Sequence, residues 1–162
     1  MATLDMHWRE TWTDRDPEAV SWFEPVPQRS WELIGDSGVG PEDPIVDVGG
    51  GASRLVDDLV AAGYRDLTVL DIADEPLAMA RRDRYVQLVR TALAPGGAAV
   101  IATFAPDGPA QCSGMPVQRY DVEQLASLLG GGFTLVRHHY DTHRTPTGAD
   151  QQFVYVLLRR DA

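Results

Sequence analysis

A short apolar strand that runs straight into three glycines limits the folds open to this chain more than any other feature. The strand is Ile45–Val48, and residues 49–51 are all glycine. A β-branched run of this kind predicts a buried strand that stops at a tight turn. Ser53 can then cap a helix whose apolar residues keep helical spacing, and Gly63 suits the position just after its end.

A second strand, Leu67–Asp71, completes a strand–helix–strand unit and predicts a parallel sheet in an α/β fold. Glycines at the turn let a ligand approach the backbone. The carboxylate of Asp71, 22 residues after Gly49, can accept hydrogen bonds from both hydroxyls of a ribose. Together these features favour a nucleoside ligand over a glycine turn with nothing bound. A nicotinamide dinucleotide fits less well, because its fingerprint wants glycine where this chain has Arg54.

Composition indicates one globular domain over residues 1–162, with 44% apolar and 23% charged residues. With 14 Lys and Arg against 24 Asp and Glu, the net charge is −10, and such a surface repels the phosphates of nucleic acid. Cys112 is the only cysteine, so no internal disulfide forms. No apolar run is long enough to span a membrane, and residues 1–10 lack the apolar core of a signal peptide. We therefore expect a cytoplasmic protein with no membrane partner.

The rest of the chain predicts alternating helices and strands. A helix over 74–94 has an apolar stripe of Tyr85, Leu88, Val89, Ala92 and Leu93, but Arg81 and Arg82 fall inside that stripe, as if two helices had been joined. Gln124 is placed to complete a capping box with Asp121. The other predicted elements are a short helix starting over 30–34, a strand over 98–104, a loop over 105–120, and strands over 133–140 and 152–159 joined by the polar loop 141–151.

Residues 1–44 form an aromatic lead-in that holds all four tryptophans. They help to close the core in the simpler interpretation. In the alternative interpretation they form a lid over a ligand, because aromatic surfaces stack well on flat rings.

Five stretches carry a family resemblance. Around the glycine turn and second strand they are IVDVGGGAS (45–53) and LTVLDIADEPLAMAR (67–81). The later two are ALAPGGAAVIATFAPDGPAQCSGMPVQRY (92–120) and HRTPTGADQQFVYVLLRR (143–160), and the lead-in contains SWFEPVPQRSWELI (21–34). Together they resemble class I S-adenosylmethionine-dependent methyltransferases, most closely a bacterial subgroup of small ones.

The resemblance implies a Rossmann-like three-layer α/β/α sandwich, with a mostly parallel sheet and a C-terminal antiparallel hairpin. It implies S-adenosylmethionine as cofactor, S-adenosylhomocysteine as product, and an N, O or S nucleophile of a small molecule or protein as acceptor. The implied cofactor residues are Asp47, Gly49, Gly50, Gly51, Ser53, Asp71 and Ile72. The implied acceptor residues are Trp22, Phe23, Tyr120, His143 and Gln152, and no catalytic residue is assigned.

The chain departs from the family around residues 81–84, where roughly forty or more residues of a strand–helix–strand segment are missing. Three explanations are open: a stretch absent from this sequence, an engineered deletion, or a naturally shortened protein. We favour the first two, because losing a central strand leaves unpaired backbone edges. A naturally short form would have fewer strands or would be completed by swapping in a homodimer.

Two other functions stay open beside methyl transfer. One is a degenerate S-adenosylmethionine-binding protein without catalysis, and the other is an NAD-dependent oxidoreductase, against which Arg54 counts. Three histidines, His138, His139 and His143, lack the spacing of a metal site, so we expect no metal. Residues 159–160, both arginine, are most simply a solvated end of the chain.

Overall fold

The computed structural model describes residues 16–49, 53–70, 79–112 and 114–162. The chain divides into two compact units, Met1–Ala78 and Met79–Ala162. The single domain over 1–162 stays a prediction.

The first unit contains the predicted strand–helix–strand arrangement. Its helices are α1 (Gln28–Ser37) and α2 (Leu55–Ala61), and its strands are β1 (Ile45–Val48) and β2 (Leu67–Leu70). β1 pairs with β2 in parallel, with Ile45 opposite Leu67. Leu59 of α2 is fully buried, and Gly63 has a φ of +95° just after the helix, which confirms the predicted stop.

The second unit is built on an antiparallel sheet. Its strands are β3 (Ala98–Phe104), β6 (Phe133–Arg144) and β7 (Asp150–Arg160). The sheet has the order β3–β7–β6, and β7 is antiparallel to both neighbours. A small hairpin joins β4 (Gln111–Cys112) to β5 (Met115–Pro116), and the helices are α3 (Met79–Ala92) and α4 (Val122–Ala126).

One face of β7 forms the core of this unit. Val154, Val156 and Leu158 point to that face and pack with Leu125 and Leu129, which lie in and just after α4. Since successive strand residues alternate between faces, every second residue of β7 enters the cluster. The predicted capping box is confirmed: the Gln124 amide donates to the Asp121 side chain at 2.8 Å, and the Asp121 amide donates back to the Gln124 side chain at 3.2 Å.

The predicted apolar stripe of α3 is wrong in part. Val86 and Val89 pack against the core, whereas Leu88 is 50% exposed. The helix is turned so that Arg90 lies over the ring of Phe133, with its guanidinium 5.6 Å from the ring centroid. α3 continues through residues 81–84 as one helix.

Arg160 is not solvated as predicted. It is half-buried, and its guanidinium donates to the carbonyls of Arg90 and Leu93 at the end of α3. Arg159 donates to the carbonyl of Gly96 at 2.9 Å. Arg160 thus connects the last strand to the helix end, where carbonyls lack partners within the helix, and Arg159 connects it to the turn that follows.

Strands β6 and β7 are both longer than predicted, and the loop 141–151 shrinks to residues 145–149. Polar side chains support the added pairs: Thr142 Oγ1 donates to Gln152 Oε1 at 2.7 Å, and Arg144 forms an ion pair with Asp150 at 3.3 Å. The predicted loop 105–120 contains the β4–β5 hairpin.

The expected C-terminal antiparallel hairpin is confirmed by the pairing of β6 with β7. A mostly parallel sheet is not what the described strands form, because only β1 and β2 run in parallel. The three-layer sandwich stays a prediction. In the described part of the chain, no helix combines the length and the apolar character needed to cross a membrane.

Candidate functional site

The turn after β1 has the backbone shape that the sequence predicts. Gly49 follows the strand directly and has a φ of +82°, a conformation that side chains with a Cβ adopt only under strain. Among the described residues, none has an atom within 4 Å of a Cβ placed on Gly49. The positive φ is therefore what favours glycine at this position.

Two other predicted cofactor residues flank this turn. Asp47 is half-buried in β1 opposite Val69, and its Oδ2 atom is buried. Ser53 accepts a hydrogen bond from the Leu55 amide at 3.2 Å, next to the start of α2. The hydroxyl therefore supports the helix start as predicted, although Arg54 occupies the capping position itself.

Arg54, which departs from the dinucleotide fingerprint, ties the lead-in to the start of α2. Its guanidinium donates to Glu18 at 2.7 Å and lies 5.9 Å from the ring centroid of Phe23. Trp22 beside it is half-buried. Phe23, a predicted acceptor residue, therefore lies next to Arg54, which directly follows the predicted cofactor residue Ser53.

Four predicted cofactor positions lie outside the described residues. They are Gly50, Gly51, Asp71 and Ile72.

A second group of aromatic rings lies at the carboxyl end of β3 in the other unit. Phe104 and Phe153 have ring centroids 4.7 Å apart, and the His143 ring stands edge-on to Phe153 at 6.2 Å. Such distances are typical of stabilising aromatic pairs. Because the predicted acceptor residue His143 belongs to this group of rings, this end of the sheet is a candidate acceptor surface.

The three acceptor residues predicted in this unit lie at the same end of the sheet. The Tyr120 amide donates to the Phe104 carbonyl at 3.1 Å, and the Gln152 carbonyl accepts from the Ala105 amide at 2.9 Å. His143 lies opposite Gln151 in the hairpin, so its side chain and that of Gln152 point to opposite faces of the sheet.

Sequence reasoning missed Phe104 and Phe153 as members of this group. The available signal was the alternation of side chains along each strand, which places Phe104 on the same face as Ala102 and Phe153 on the same face as Tyr155. Only the pairing of β3 with β7 shows that the two rings meet.

Within the described ranges, no three His, Cys, Asp or Glu side chains are arranged to hold a metal ion. His138 lies opposite Val156 and His139 opposite Tyr155, which confirms that they face opposite sides of β6. Cys112 is half-buried in β4.

Comparison with solved structures identifies the fold. An S-adenosylmethionine-dependent methyltransferase from Anabaena variabilis ATCC 29413 is similar to this chain with a TM-score of 0.66 and 13% identity, over 96% of this chain and 93% of that one. S-adenosylmethionine-dependent methyltransferases from Methanosarcina mazei give a TM-score of 0.62 and 12% identity, over 86% of this chain and 99% of that one. This chain has the fold of S-adenosylmethionine-dependent methyltransferases.

A third structure is described for the conversion of a disulfide bond into a thioacetal group during echinomycin biosynthesis. It matches with a TM-score of 0.62 and 16% identity, over 91% of this chain and 85% of that one. No family model and no curated protein matches the sequence. The expected methyltransferase fold is therefore confirmed by structural likeness.

Proposed function

We propose that this chain is an S-adenosylmethionine-dependent methyltransferase, which transfers the methyl group to an N, O or S nucleophile of a small molecule or protein. The observation that carries the proposal is the turn at Gly49, where the backbone leaves β1 at a φ of +82°. The methyltransferase fold supports the same interpretation.

The residues around this turn suit the cofactor. Gly49 presents backbone without a side chain, and the half-buried carboxylate of Asp47 precedes it by two residues. In the proposal, Asp47 and glycines 49–51 line the methionine and ribose part, with Ser53 at the third position of the glycine motif. Asp71 accepts hydrogen bonds from the ribose hydroxyls, and Ile72 packs against adenine.

S-adenosylmethionine supplies an electrophilic methyl group on a positively charged sulfur. The protein contributes mainly by holding acceptor and methyl group in line, and a general base is needed only where the nucleophile carries a proton. The proposed acceptor residues are Trp22 and Phe23 in the first unit and Tyr120, His143 and Gln152 in the second. We add the paired rings of Phe104 and Phe153 to the group in the second unit.

A cofactor-binding protein without catalysis is the second candidate. It is favoured by the uninterrupted course of α3 through residues 81–84. At that point the sequence resemblance places a strand–helix–strand segment whose strand end often carries substrate-binding groups.

The two candidates differ in turnover. Incubation of the full chain with S-adenosylmethionine and panels of amine, hydroxyl and thiol acceptors should release S-adenosylhomocysteine with at least one panel. Equilibrium binding of S-adenosylmethionine without release in any panel would favour the non-catalytic protein. Binding of NAD in preference to S-adenosylmethionine would overturn both candidates and favour an oxidoreductase.

A further inference from the structure

The second unit has a long strand edge, on β6, that no other described strand covers. Among the described residues, β3 and β6 are the two outer strands of the sheet β3–β7–β6, and β6 is the longer one with 12 residues. Its side chains are largely exposed: Val136 is 47% exposed and Tyr140 is 54% exposed. The outer edge of such a strand presents backbone N–H and C=O groups that another strand can pair with.

Charged side chains along β6 are arranged symmetrically. Arg137 and Asp141 lie two residues before and two residues after His139. All three belong to one face of the sheet, because they lie opposite alternate residues of β7 without a register shift. Opposite charges at equal distances from a centre make the strand complementary to itself when it is reversed.

We propose that β6 pairs in antiparallel fashion with β6 of a second copy of this chain, with the twofold axis at His139. In this register Arg137 lies opposite the partner's Asp141, and the same pair recurs on the other side of the axis. His138 then lies opposite the partner's Tyr140. Directly opposed unlike charges stabilise an antiparallel pair, whereas like charges destabilise it.

Alternative registers lose this match. A parallel pairing in register would place Arg137 opposite a second Arg137, which is a like-charge contact. An antiparallel pairing shifted so that its axis falls at Tyr140 would place Arg137 opposite His143. The bulge between Leu135 and Arg137 lies outside the segment 137–141, so the proposed pairing uses regular strand only.

The pairing segment is short, and each copy has a net charge of −10. A small interface between two acidic chains predicts a weak dimer. Edge strands are commonly protected against pairing by charged side chains, especially lysine. β6 instead carries both signs in a self-matching order, which favours a second copy as its partner.

Analytical ultracentrifugation of the full chain in about 0.15 M salt tests the proposal. The wild type should dimerise reversibly. Arg137→Asp and Asp141→Arg, which create two like-charge contacts each, should each weaken dimerisation by about tenfold or more. The double variant R137D/D141R restores both pairs and should return to within about threefold of the wild type.

A mixture provides the sharpest test. The two single variants, each weakened alone, should form a heterodimer when combined in equal amounts, because their Asp and Arg side chains then match. Asp107→Arg, at an exposed loop position outside β6, makes the same charge change as Asp141→Arg and should not weaken the dimer. Circular dichroism checks that every variant keeps the wild-type fold.

Three results would overturn the proposal. The first is a wild-type chain that stays monomeric up to several hundred micromolar. The second is a dimer that neither single variant weakens, and the third is weakening that neither the double variant nor the mixture restores. Because none of these readouts involves the cofactor, failure of the proposed methyl transfer would leave this result unaffected.

Discussion

The two units of this chain bury their strands to different depths. In the second unit, the five consecutive residues Val154–Leu158 of β7 are each at most 7% exposed. In the first unit, Val46 of β1 and Val69 of β2 are 50% and 46% exposed, although parallel sheets are normally covered on both faces. Among the described residues, the strands are therefore more deeply buried in the unit without the glycine turn, and the proposed cofactor turn belongs to the unit with the shallower strands.

The largest expected effect tests this difference in depth directly. Leu158→Ala removes a fully buried side chain from the core cluster and should lower the free energy of unfolding by about 3 kcal/mol. Val69→Ala, its counterpart in β2, should cost less than about 1 kcal/mol because the side chain is already half in water. Urea unfolding measures both, and an equal loss in the two variants would break the comparison.

A polar contact of each unit provides the next test. Arg160→Met removes the donor from the carbonyls of Arg90 and Leu93, and should cost about 1–2 kcal/mol in urea unfolding. Arg65→Met is the matched control, since its 3.6 Å ion pair with Glu42 is between two largely exposed side chains. We expect the control to change stability by less than about 0.5 kcal/mol. A loss in the control as large as in Arg160→Met would show that depth does not separate the units.

Gly49→Ala sharpens the comparison within the first unit. At a φ of +82° an alanine is strained, so the variant should lose about 1 kcal/mol of unfolding free energy. Gly35→Ala is the control inside α1, where the added Cβ meets no atom within 4 Å and alanine favours the helix. It should leave stability unchanged or raise it by up to about 1 kcal/mol. If both variants behaved alike, the turn would not require its glycine.

These elements show how far local sequence patterns reach. The capping box of Asp121 and Gln124 was predictable because both partners lie within one helical turn. The turn at Gly49 was predictable for a similar reason, since an apolar strand and three glycines are adjacent in sequence. The exposure of Val46 and Val69 was not, because burial depends on what the rest of the chain places above each strand.

Contacts between distant residues were missed. Arg160 reaches a helix end about 70 residues earlier in the chain, and no pattern around residues 159–160 indicates that contact. Arg54 was interpreted only as a departure from a glycine fingerprint, whereas in the structure it joins Glu18 and Phe23, 36 and 31 residues away. In both cases tertiary packing determines which residues the arginine contacts.

The smallest expected effect concerns Arg54. Arg54→Ala removes its ion pair with Glu18 and its contact with Phe23, but the charged side chains are about half exposed, so stability should fall by less than about 1 kcal/mol. Glu18→Ala and the double variant complete a double-mutant cycle by urea unfolding. If residues 18–23 help to cover the proposed cofactor, both single variants should also weaken S-adenosylmethionine binding severalfold. Unchanged binding would limit the contact to local structure.

Calorimetric titration of the full chain with S-adenosylmethionine tests the central claim most directly. We predict micromolar binding by the wild type and by Asp66→Ala, which removes an exposed carboxylate just before β2. Asp71→Ala, which removes the proposed acceptor for the ribose hydroxyls, should weaken binding by about tenfold or more. No binding by a folded wild-type chain, or equal binding by Asp71→Ala and Asp66→Ala, would contradict the proposed nucleoside site.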